Sequence, residues 1–254
     1  MEAQNNSGID SGGTNQAPQP TSSGKLIRLL REKWPEYVIE ILVIIFSITI
    51  SFILDEWREK QRKEEVEQTY LKGLSSDIKT DQNQLVEVIE ETRQILQNVD
   101  QLIAASRQPL PADSSRQVLN AIRFILKRPR FVAEDATFAD LKSTGNMQLM
   151  SNSDLKRALF DYYKTYESVT LVENAELDAV TNLVGPYLIS RVSFADGKSS
   201  DISHFFGQTE FRNIIFVRKS QRSELLNAYQ KLLNSAKIIQ EAVKKQLPKS
   251  SEKK

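Results

Sequence analysis

The side chains that could carry out chemistry are few and scattered in this sequence. The densest acidic group outside a clear helical pattern consists of Glu134, Asp135 and Asp140. Neighbouring carboxylates can exchange a proton or bind a divalent cation. The same residues also suit the start of a helix, where negative charge complements the macrodipole, and we favour that interpretation. The sequence therefore predicts no catalytic residue and no metal site.

Other nucleophiles and metal ligands are nearly missing from the chain. It has no cysteine, which excludes disulfides, thiolate nucleophiles and cysteine-ligated zinc or iron–sulfur clusters. Its one histidine, His204, rules out a histidine metal cluster and gives general-base chemistry little support. No phosphate-binding loop, dinucleotide fingerprint or nucleophile elbow occurs. We therefore predict a protein that is not an enzyme and binds no cofactor.

Four tyrosines are the remaining candidates for a binding surface. Tyr162, Tyr163 and Tyr166 are close together at helical spacing, and Tyr187 continues the same apolar pattern. Tyrosine rings can line a ligand pocket between helices, but at this spacing they more often belong to the core and its rim. Both interpretations stay open: a ligand or partner surface, and ordinary core packing.

The element that must position these residues is an apolar stretch at 37–54, YVIEILVIIFSITISFIL. It holds one charge, Glu40, and as a helix it would extend about 27 Å, close to the hydrocarbon thickness of a bilayer. Trp34 and Tyr37 lie at one end and Trp57 at the other, where such rings anchor in the headgroup layer. No small-residue cleavage site follows it, which argues against a signal peptide. We predict a transmembrane helix with these three aromatic residues as interface anchors.

One face of this helix carries its polar residues. Glu40, Ser47 and Ser51 are spaced at i, i+7 and i+11, and the two serines have the small-xxx-small spacing that lets membrane helices approach closely. The face therefore suits self-association, with Glu40 as a polar contact or ion-pathway residue. Alternatively, Glu40 reaches outwards to the headgroups and the serines are merely tolerated. We favour the outward orientation for Glu40 and leave the serine pair open.

The flanking segments differ sharply in composition. Residues 1–24 are polar and rich in Gly and Pro, which predicts a disordered tail, and 248–254 predict a basic disordered end. Residues 25–36 alternate Leu and Ile with Lys and Arg, as in an amphipathic interfacial segment. Basic residues on the two sides of the span are nearly balanced, so the positive-inside rule decides little. Asp55 and Glu56 favour a cytoplasmic N-terminus and an extracytoplasmic, periplasmic C-terminal domain.

Downstream of the span, apolar residues recur at three- and four-residue spacing in three long seams, at 71–102, 155–187 and 225–243. Such seams pack helix against helix. We predict an all-α fold: a single N-terminal transmembrane helix continues into a long helix, which packs in an antiparallel helical bundle with short helices and loops over residues 58–247. Polar residues interrupt the seams, either to fix the helix register or because the seam ends face water; they are Asp81, Thr92 and Glu173.

Local signals place the boundaries of the later helices. Gly145 in the run STGN suits a positive φ at a helix end. Residues 151–154 supply caps for the helix that follows. The heptad seam near the C-terminus predicts a last helix from about Ser220 to Leu247.

Two stretches carry a more specific pattern. Residues 36–82 contain Glu40, Ser47 and Ser51 in the span, Trp57-x-Glu59 just outside it, and the run TYLKGLSSDIKTD from Thr69. In residues 137–163 the matching positions are Leu141, Gly145, Leu155 and Tyr162–Tyr163. Together they resemble a widespread family of uncharacterised bacterial, Bacteroidetes-type single-pass membrane proteins, many of which have glycine in place of Ser47. The resemblance implies an inner-membrane anchor with a helical soluble domain, and it supplies no catalytic residue.

These observations predict a membrane-anchored helical scaffold or interaction protein of the bacterial cell envelope. Its partners would be the lipid bilayer and either further copies of itself or other envelope membrane proteins. The net charge of +1 gives no reason to expect nucleic acid. The alternative is a sensory or ligand-binding module that passes a signal to a separate membrane protein.

Overall fold

A computed structural model describes residues 22–111, 114–194 and 202–248, without the side chains of residues 22–30 and 32. All regular structure in these ranges is helical, and no strand occurs in them, which confirms the all-α fold class. The chain divides into two units, residues 1–61 and 62–254, and the long helix α1 (Ser22–Ala105) contributes to both. Most of the predicted tail and of the basic end lies outside the described residues.

The first unit contains the apolar stretch as part of α1. Its most apolar window has a mean hydropathy of 2.6, and no part of that window is buried. By length and composition this helix is able to cross a membrane. Inside the stretch, the hydroxyl groups of Ser47, Thr49 and Ser51 each donate a hydrogen bond of 2.7–2.9 Å to the carbonyl four residues earlier. These hydroxyls are therefore satisfied within their own helix and need no partner from another one.

The second unit is a bundle built from the remainder of α1 and a series of further helices. These are α2 (Ser115–Ile125), α3 (Ala136–Ser143), a 3₁₀ turn (Asn146–Leu149), α4 (Ser153–Ala179), a π segment (Val180–Val184), α5 (Gly185–Ile189), α6 (Ser203–Phe206) and α7 (Thr209–Gln246).

Contacts between the long helices give their directions. On α1, Gln82 donates a hydrogen bond to the Ala236 carbonyl of α7 (3.1 Å), and further along Asp100 forms an ion pair with Lys219 (2.6 Å). Since the position on α7 falls as the position on α1 rises, these helices are antiparallel. Helix α4 runs parallel to α1, since Ser151, just before α4, bonds to Glu67, and Tyr162, further along α4, bonds to Asp81. The chain first returns along α1 through α2, residues 126–135 and α3.

Buried apolar residues form two separate clusters. The first cluster comes from residues 71–89, 131–150, 155–169 and 225–243. The second cluster comes from residues 95–102, 118–125, 180–192 and 202–215. The apolar positions of the predicted seams on α1 and α7 are buried in one cluster or the other, which confirms both seams.

Helix α7 begins at Thr209, so the predicted start near Ser220 was wrong. Its first turns are held in place by Phe211 and Ile215, both fully buried in the second cluster. Between them and Leu225 the seam continues through two arginines, a residue type that a hydrophobic pattern assigns to the surface.

The predicted boundaries around α4 agree with the structure. Gly145 has φ 73°, the left-handed conformation that glycine adopts without strain. The N-cap of α4 is Asn152, whose side-chain oxygen accepts hydrogen bonds from the backbone N–H groups of Asp154 and Leu155, both at 3.0 Å. This pair of boundaries fixes where the chain turns from α3 into α4.

Candidate functional site

The acidic group singled out from the sequence lies around the start of α3. Asp135 is the N-cap of α3 and makes no capping hydrogen bond through its side chain. The Asp140 carboxylate accepts a hydrogen bond of 2.7 Å from the Tyr70 hydroxyl, so it is engaged with α1. In the described parts of the chain, no group of three or more acidic or histidine side chains is arranged to hold a metal ion.

These contacts belong to a larger polar face of α1, which we call the docking face: Glu67, Tyr70, Gly73, Asp77 and Asp81. Their spacing of three or four residues places them along one side of the helix. The docking face contacts the segment from residue 134 to residue 162, which includes α3 and the first part of α4.

One end of the docking face fixes the turn between α3 and α4. The Glu67 carboxylate accepts hydrogen bonds from both the backbone N–H (2.6 Å) and the hydroxyl (2.8 Å) of Ser151. Beside it, the Tyr70 hydroxyl accepts a hydrogen bond of 2.8 Å from the Asn146 side chain while donating to Asp140. The turn is therefore held against α1 by polar contacts.

In the middle of the docking face, α1 and α3 approach each other closely. The Asp77 carboxylate accepts a hydrogen bond of 3.1 Å from the Thr137 backbone N–H, one of the N–H groups left free at the start of α3. A Cβ atom added at Gly73 would lie 2.7 Å from Thr137 Oγ1. This close approach explains a glycine inside a long helix, where it otherwise costs stability.

We expect Gly73→Ala to lower the free energy of unfolding by ~1–3 kcal/mol, because the new methyl group forces α3 away from α1. Thr137→Ala in the same chain removes the clashing atoms. The double variant should then recover wild-type stability or exceed it, since alanine is favoured over glycine in a helix by ~1 kcal/mol. Chemical denaturation of the wild type and the three variants measures this. A double variant no more stable than Gly73→Ala would contradict the close contact.

Asp81 completes the docking face and is fully buried. One carboxylate oxygen accepts a hydrogen bond from the Glu134 backbone N–H, and the other accepts one from the Tyr162 hydroxyl, both at 2.7 Å. Burial raises the pKa of Asp81 from 3.8 to about 6; the two hydrogen bonds oppose this, and the negative charges of Asp77 and Glu134 add to it. The site is a carboxylate held in a protein interior by two donors.

The docking face brings together the two stretches on which the family resemblance rests. Residues 67–82 lie in the first stretch and residues 137–163 make up the second, and they contact each other through these hydrogen bonds. The sequence showed two separate patterns, and the structure shows that they form one contact.

The four candidate tyrosines do not form one surface. Tyr162 and Tyr163 are buried in the first cluster, where the Tyr163 ring stacks on Phe138 and its hydroxyl donates to the Glu134 carbonyl (2.9 Å). Burial, followed by the nearby Asp81 charge, raises the pKa of both hydroxyls. Tyr166 is half-buried at the edge of the first cluster.

Tyr187 lies apart from the other three, at the edge of the second cluster. The Arg191 guanidinium lies over its ring at 4.0 Å from the centroid. Burial raises the pKa of the Tyr187 hydroxyl, and its oxygen has no hydrogen-bond partner among the described residues.

A second polar group, not predicted from the sequence, lies inside the bundle. Arg218 and Arg222 on α7 are fully buried, and each places a nitrogen 2.6 Å from the same Glu176 carboxylate oxygen on α4. Burial lowers the pKa of both arginines, and the Glu176 charge opposes that shift. The sequence signal was present, since both arginines occupy α7 seam positions between Ile215 and Leu225.

The two guanidinium groups also bind the connection between α2 and α3. Arg218 donates to the carbonyls of Ile125 (2.7 and 3.1 Å) and Lys127 (3.2 Å), and Arg222 donates to those of Pro129 (3.1 Å) and Lys127 (3.4 Å). Ile125 is the last residue of α2, so Arg218 satisfies a carbonyl that the helix leaves free.

Glu173 adds a further set of buried hydrogen bonds one turn before Glu176. Its carboxylate accepts from the Tyr229 hydroxyl (2.6 Å), the Phe131 backbone N–H (3.0 Å) and Arg130 Nε (3.2 Å). Burial and the hydrogen bond to the Glu173 carboxylate raise the pKa of the Tyr229 hydroxyl.

We call five residues the polar layer, because each interrupts its helix between the two apolar clusters: Thr92 on α1, Glu173 and Glu176 on α4, and Arg218 and Arg222 on α7. All five are buried. Of the two explanations for the interrupted seams, facing water is therefore wrong for Asp81, Thr92 and Glu173. Their burial is compatible with a role in fixing the helix register.

The candidate residues on the predicted transmembrane stretch lie in the first unit. Glu40, Ser47 and Ser51 are all exposed along α1. The three predicted interface anchors, Trp34, Tyr37 and Trp57, are also exposed. In the isolated chain these side chains are therefore free to meet lipid or another helix.

Open clefts occur among the described residues of the second unit. One, of about 310 Å³, lies between the end of α1 and α2. The described residues that line it are uncharged and include Gln101, Gln117 and Leu110. Another, of about 430 Å³, lies between α1 and α7 and includes Val86, Leu233 and the charged Glu90 and Arg93. None of the four candidate tyrosines lines either cleft.

Comparison of the chain with protein-family models, with curated proteins and with solved structures finds no match in any of the three.

Proposed function

We propose that this protein is a membrane-anchored helical scaffold or interaction protein of the bacterial cell envelope, and that it acts through helix–helix association without catalysis. One observation carries the proposal. A single uninterrupted helix, α1, contains the exposed apolar stretch of the first unit and a buried seam of the second. The chain thus joins an apolar helix with an unburied surface to a bundle in which Asp81, Glu173 and Glu176 are engaged in structural hydrogen bonds and ion pairs.

The anchor is assigned to the inner membrane, with the domain from residue 58 onwards outside the cytoplasm. The support is the apolar length, the exposed aromatic residues at both ends, and the acidic pair Asp55 and Glu56 after the span. Alkaline phosphatase and a cytoplasmic reporter, each fused after Lys254, test the orientation. We expect activity of the phosphatase alone; activity of the cytoplasmic reporter alone would reverse the orientation and direct the search to cytosolic partners.

We further propose that copies of α1 associate through the face that carries Ser47 and Ser51. Both hydroxyls bond to their own helix, so the face is small and needs no polar partner. In a bilayer, close backbone approach at small residues is a main source of helix association. Glu40, on the same face, then reaches towards the headgroups.

Leucine at both positions should abolish this association, because the larger side chains separate the backbones. Thr49→Leu is the matched control, since Thr49 also bonds to its own helix but points to another side. Energy transfer between labelled copies in lipid vesicles gives the readout. Equal association of the double-leucine variant and the wild type would rule out this face.

A sensory or ligand-binding module is the second candidate, and the cleft between α1 and α2 favours it. The described part of its lining consists of glutamine, serine, proline and aliphatic side chains, which suits a small uncharged molecule. The two candidates differ in cross-linking in living cells. A scaffold should capture the same neighbours in every medium, whereas a sensor's neighbours should change with the solutes supplied.

A further inference from the structure

The polar layer coincides with a break in the hydrophobic core. On α1, Thr92 lies between Ile89 of the first cluster and Ile95 of the second. On α4 and its π extension, the layer lies between Val169 and Val180. On α7, Arg218 and Arg222 separate the two clusters in the same way. The two apolar clusters are thus divided on each of the three long helices at one level of the bundle.

We propose that the bundle opens in two steps, with the polar layer as the boundary. In the first step the elements around the second cluster separate while the first cluster stays folded. This is a conformational device of the fold, and it does not depend on the scaffold function proposed above.

The lengths of the helices decide which half opens first. The first cluster is enclosed by long portions of α1, α4 and α7. The second cluster has shorter portions of α1 and α7 together with the π segment, and is otherwise enclosed by α2, α5 and α6, with 11, 5 and 4 residues. Helices this short do not form on their own, so they lose their structure once their apolar contacts are lost.

The polar layer makes such a boundary less costly than an apolar one. If the second half opens, the first cluster is left covered by Glu176, Arg218 and Arg222 instead of by bare apolar side chains. Arg218 and Arg222 remain paired with Glu176 through α4 and α7, and water replaces the carbonyls of the α2–α3 connection. Charged groups regain hydration in this step, whereas exposed apolar surface would not.

Hydrogen exchange of the full chain in lipid nanodiscs, followed by mass spectrometry, tests the proposal. Two matched variants each remove a fully buried side chain: Leu159→Ala in the first cluster and Ile122→Ala in the second. If the second half opens first, residue 159 stays buried in the open form. Leu159→Ala should then accelerate exchange in the α1 and α7 parts of the first cluster roughly 30-fold or more, and leave exchange of α2 within about twofold of the wild type.

Ile122→Ala should accelerate exchange in both halves, because residue 122 is exposed in the half-open and in the unfolded form. Equal acceleration of α2 by both variants would mean that the bundle opens in a single step. If Ile122→Ala accelerated hydrogen exchange in α2 alone and Leu159→Ala accelerated it in both halves, the first half would be the one that opens first. Either result overturns the proposal. Val169→Ala replaces Leu159→Ala if that variant does not fold.

Discussion

Replacing Glu176 with glutamine is expected to lower the free energy of unfolding by ~3–5 kcal/mol. The carboxylate is the only acidic partner in the described contacts of both Arg218 and Arg222, and each arginine is 0% exposed. A neutral amide leaves two positive charges close together in the interior without an ion-pair partner. The Glu173 charge still acts on Arg222, but that carboxylate is hydrogen-bonded to Tyr229, Phe131 and Arg130. The cost arises from the uncompensated charges and not from the loss of a favourable bridge.

Chemical denaturation of the purified full chain, followed by far-UV circular dichroism, measures this effect through the unfolding of the second unit. Glu167→Gln is the matched control, since Glu167 lies on the same helix and is exposed. It should change stability by less than ~0.5 kcal/mol. A loss below ~1 kcal/mol for Glu176→Gln would mean that water reaches the arginines, and the polar layer would then not be a sealed interior group.

Replacing Glu176, Arg218 and Arg222 together with leucine is not expected to give the stability of the wild type. Buried ion pairs can often be exchanged for apolar residues at no cost. Here the guanidinium groups also satisfy carbonyls of Ile125, Lys127 and Pro129. Leucine would leave these carbonyls buried and unpaired, at ~1–3 kcal/mol for each group. The arginines are therefore required by the backbone of the α2–α3 connection as well as by Glu176.

These residues show how far the sequence could predict the fold. Periodicity identifies which side of a helix is buried, and for that reason the seams of α1 and α7 were predicted with their correct apolar residues. Periodicity does not show which residues of the neighbouring helices contact that side. The interruptions at Thr92 and Glu173 were visible in the sequence, but the partners of Glu173 are distant from it along the chain. Arg218 and Arg222 are of a residue type typical of the surface, and the sequence does not show that Glu176 lies next to them.

The docking face was only partly predictable for a related reason. Tyr70 and Asp77 were noted as part of a recurring pattern, without any reason for their presence. Their partners, Asp140, Asn146 and the Thr137 backbone, lie about 60 to 76 residues away in the chain. Residues 126–135 have no helical periodicity, so the return of the chain along α1 had no local signal. Only the three-dimensional contact explains why a glycine occurs at position 73.

Asp81→Asn is expected to change the pH dependence of stability. The folded-state pKa of Asp81 is raised to about 6, above its ordinary value of 3.8, so the folded protein binds this proton more tightly than the unfolded chain. The stabilisation from this group is therefore complete below about pH 3.8 and is lost as the pH rises through about 6. A shift of this size corresponds to ~3 kcal/mol between the two limits.

Asparagine carries no charge at any of these pH values, and it can still accept from the Glu134 N–H and meet the Tyr162 hydroxyl. The difference in unfolding free energy between variant and wild type should therefore increase in favour of the variant from pH 4 to pH 7. Asp77 and Glu134 face Asp81 and are present in both proteins, so taking the difference removes most of their contribution. Urea denaturation at a series of pH values gives the two curves, with the exposed Asp161→Asn as control. Parallel curves would show that the Asp81 carboxylate is as well solvated in the folded protein as in the unfolded chain, and the docking face would then be open to water at its buried end.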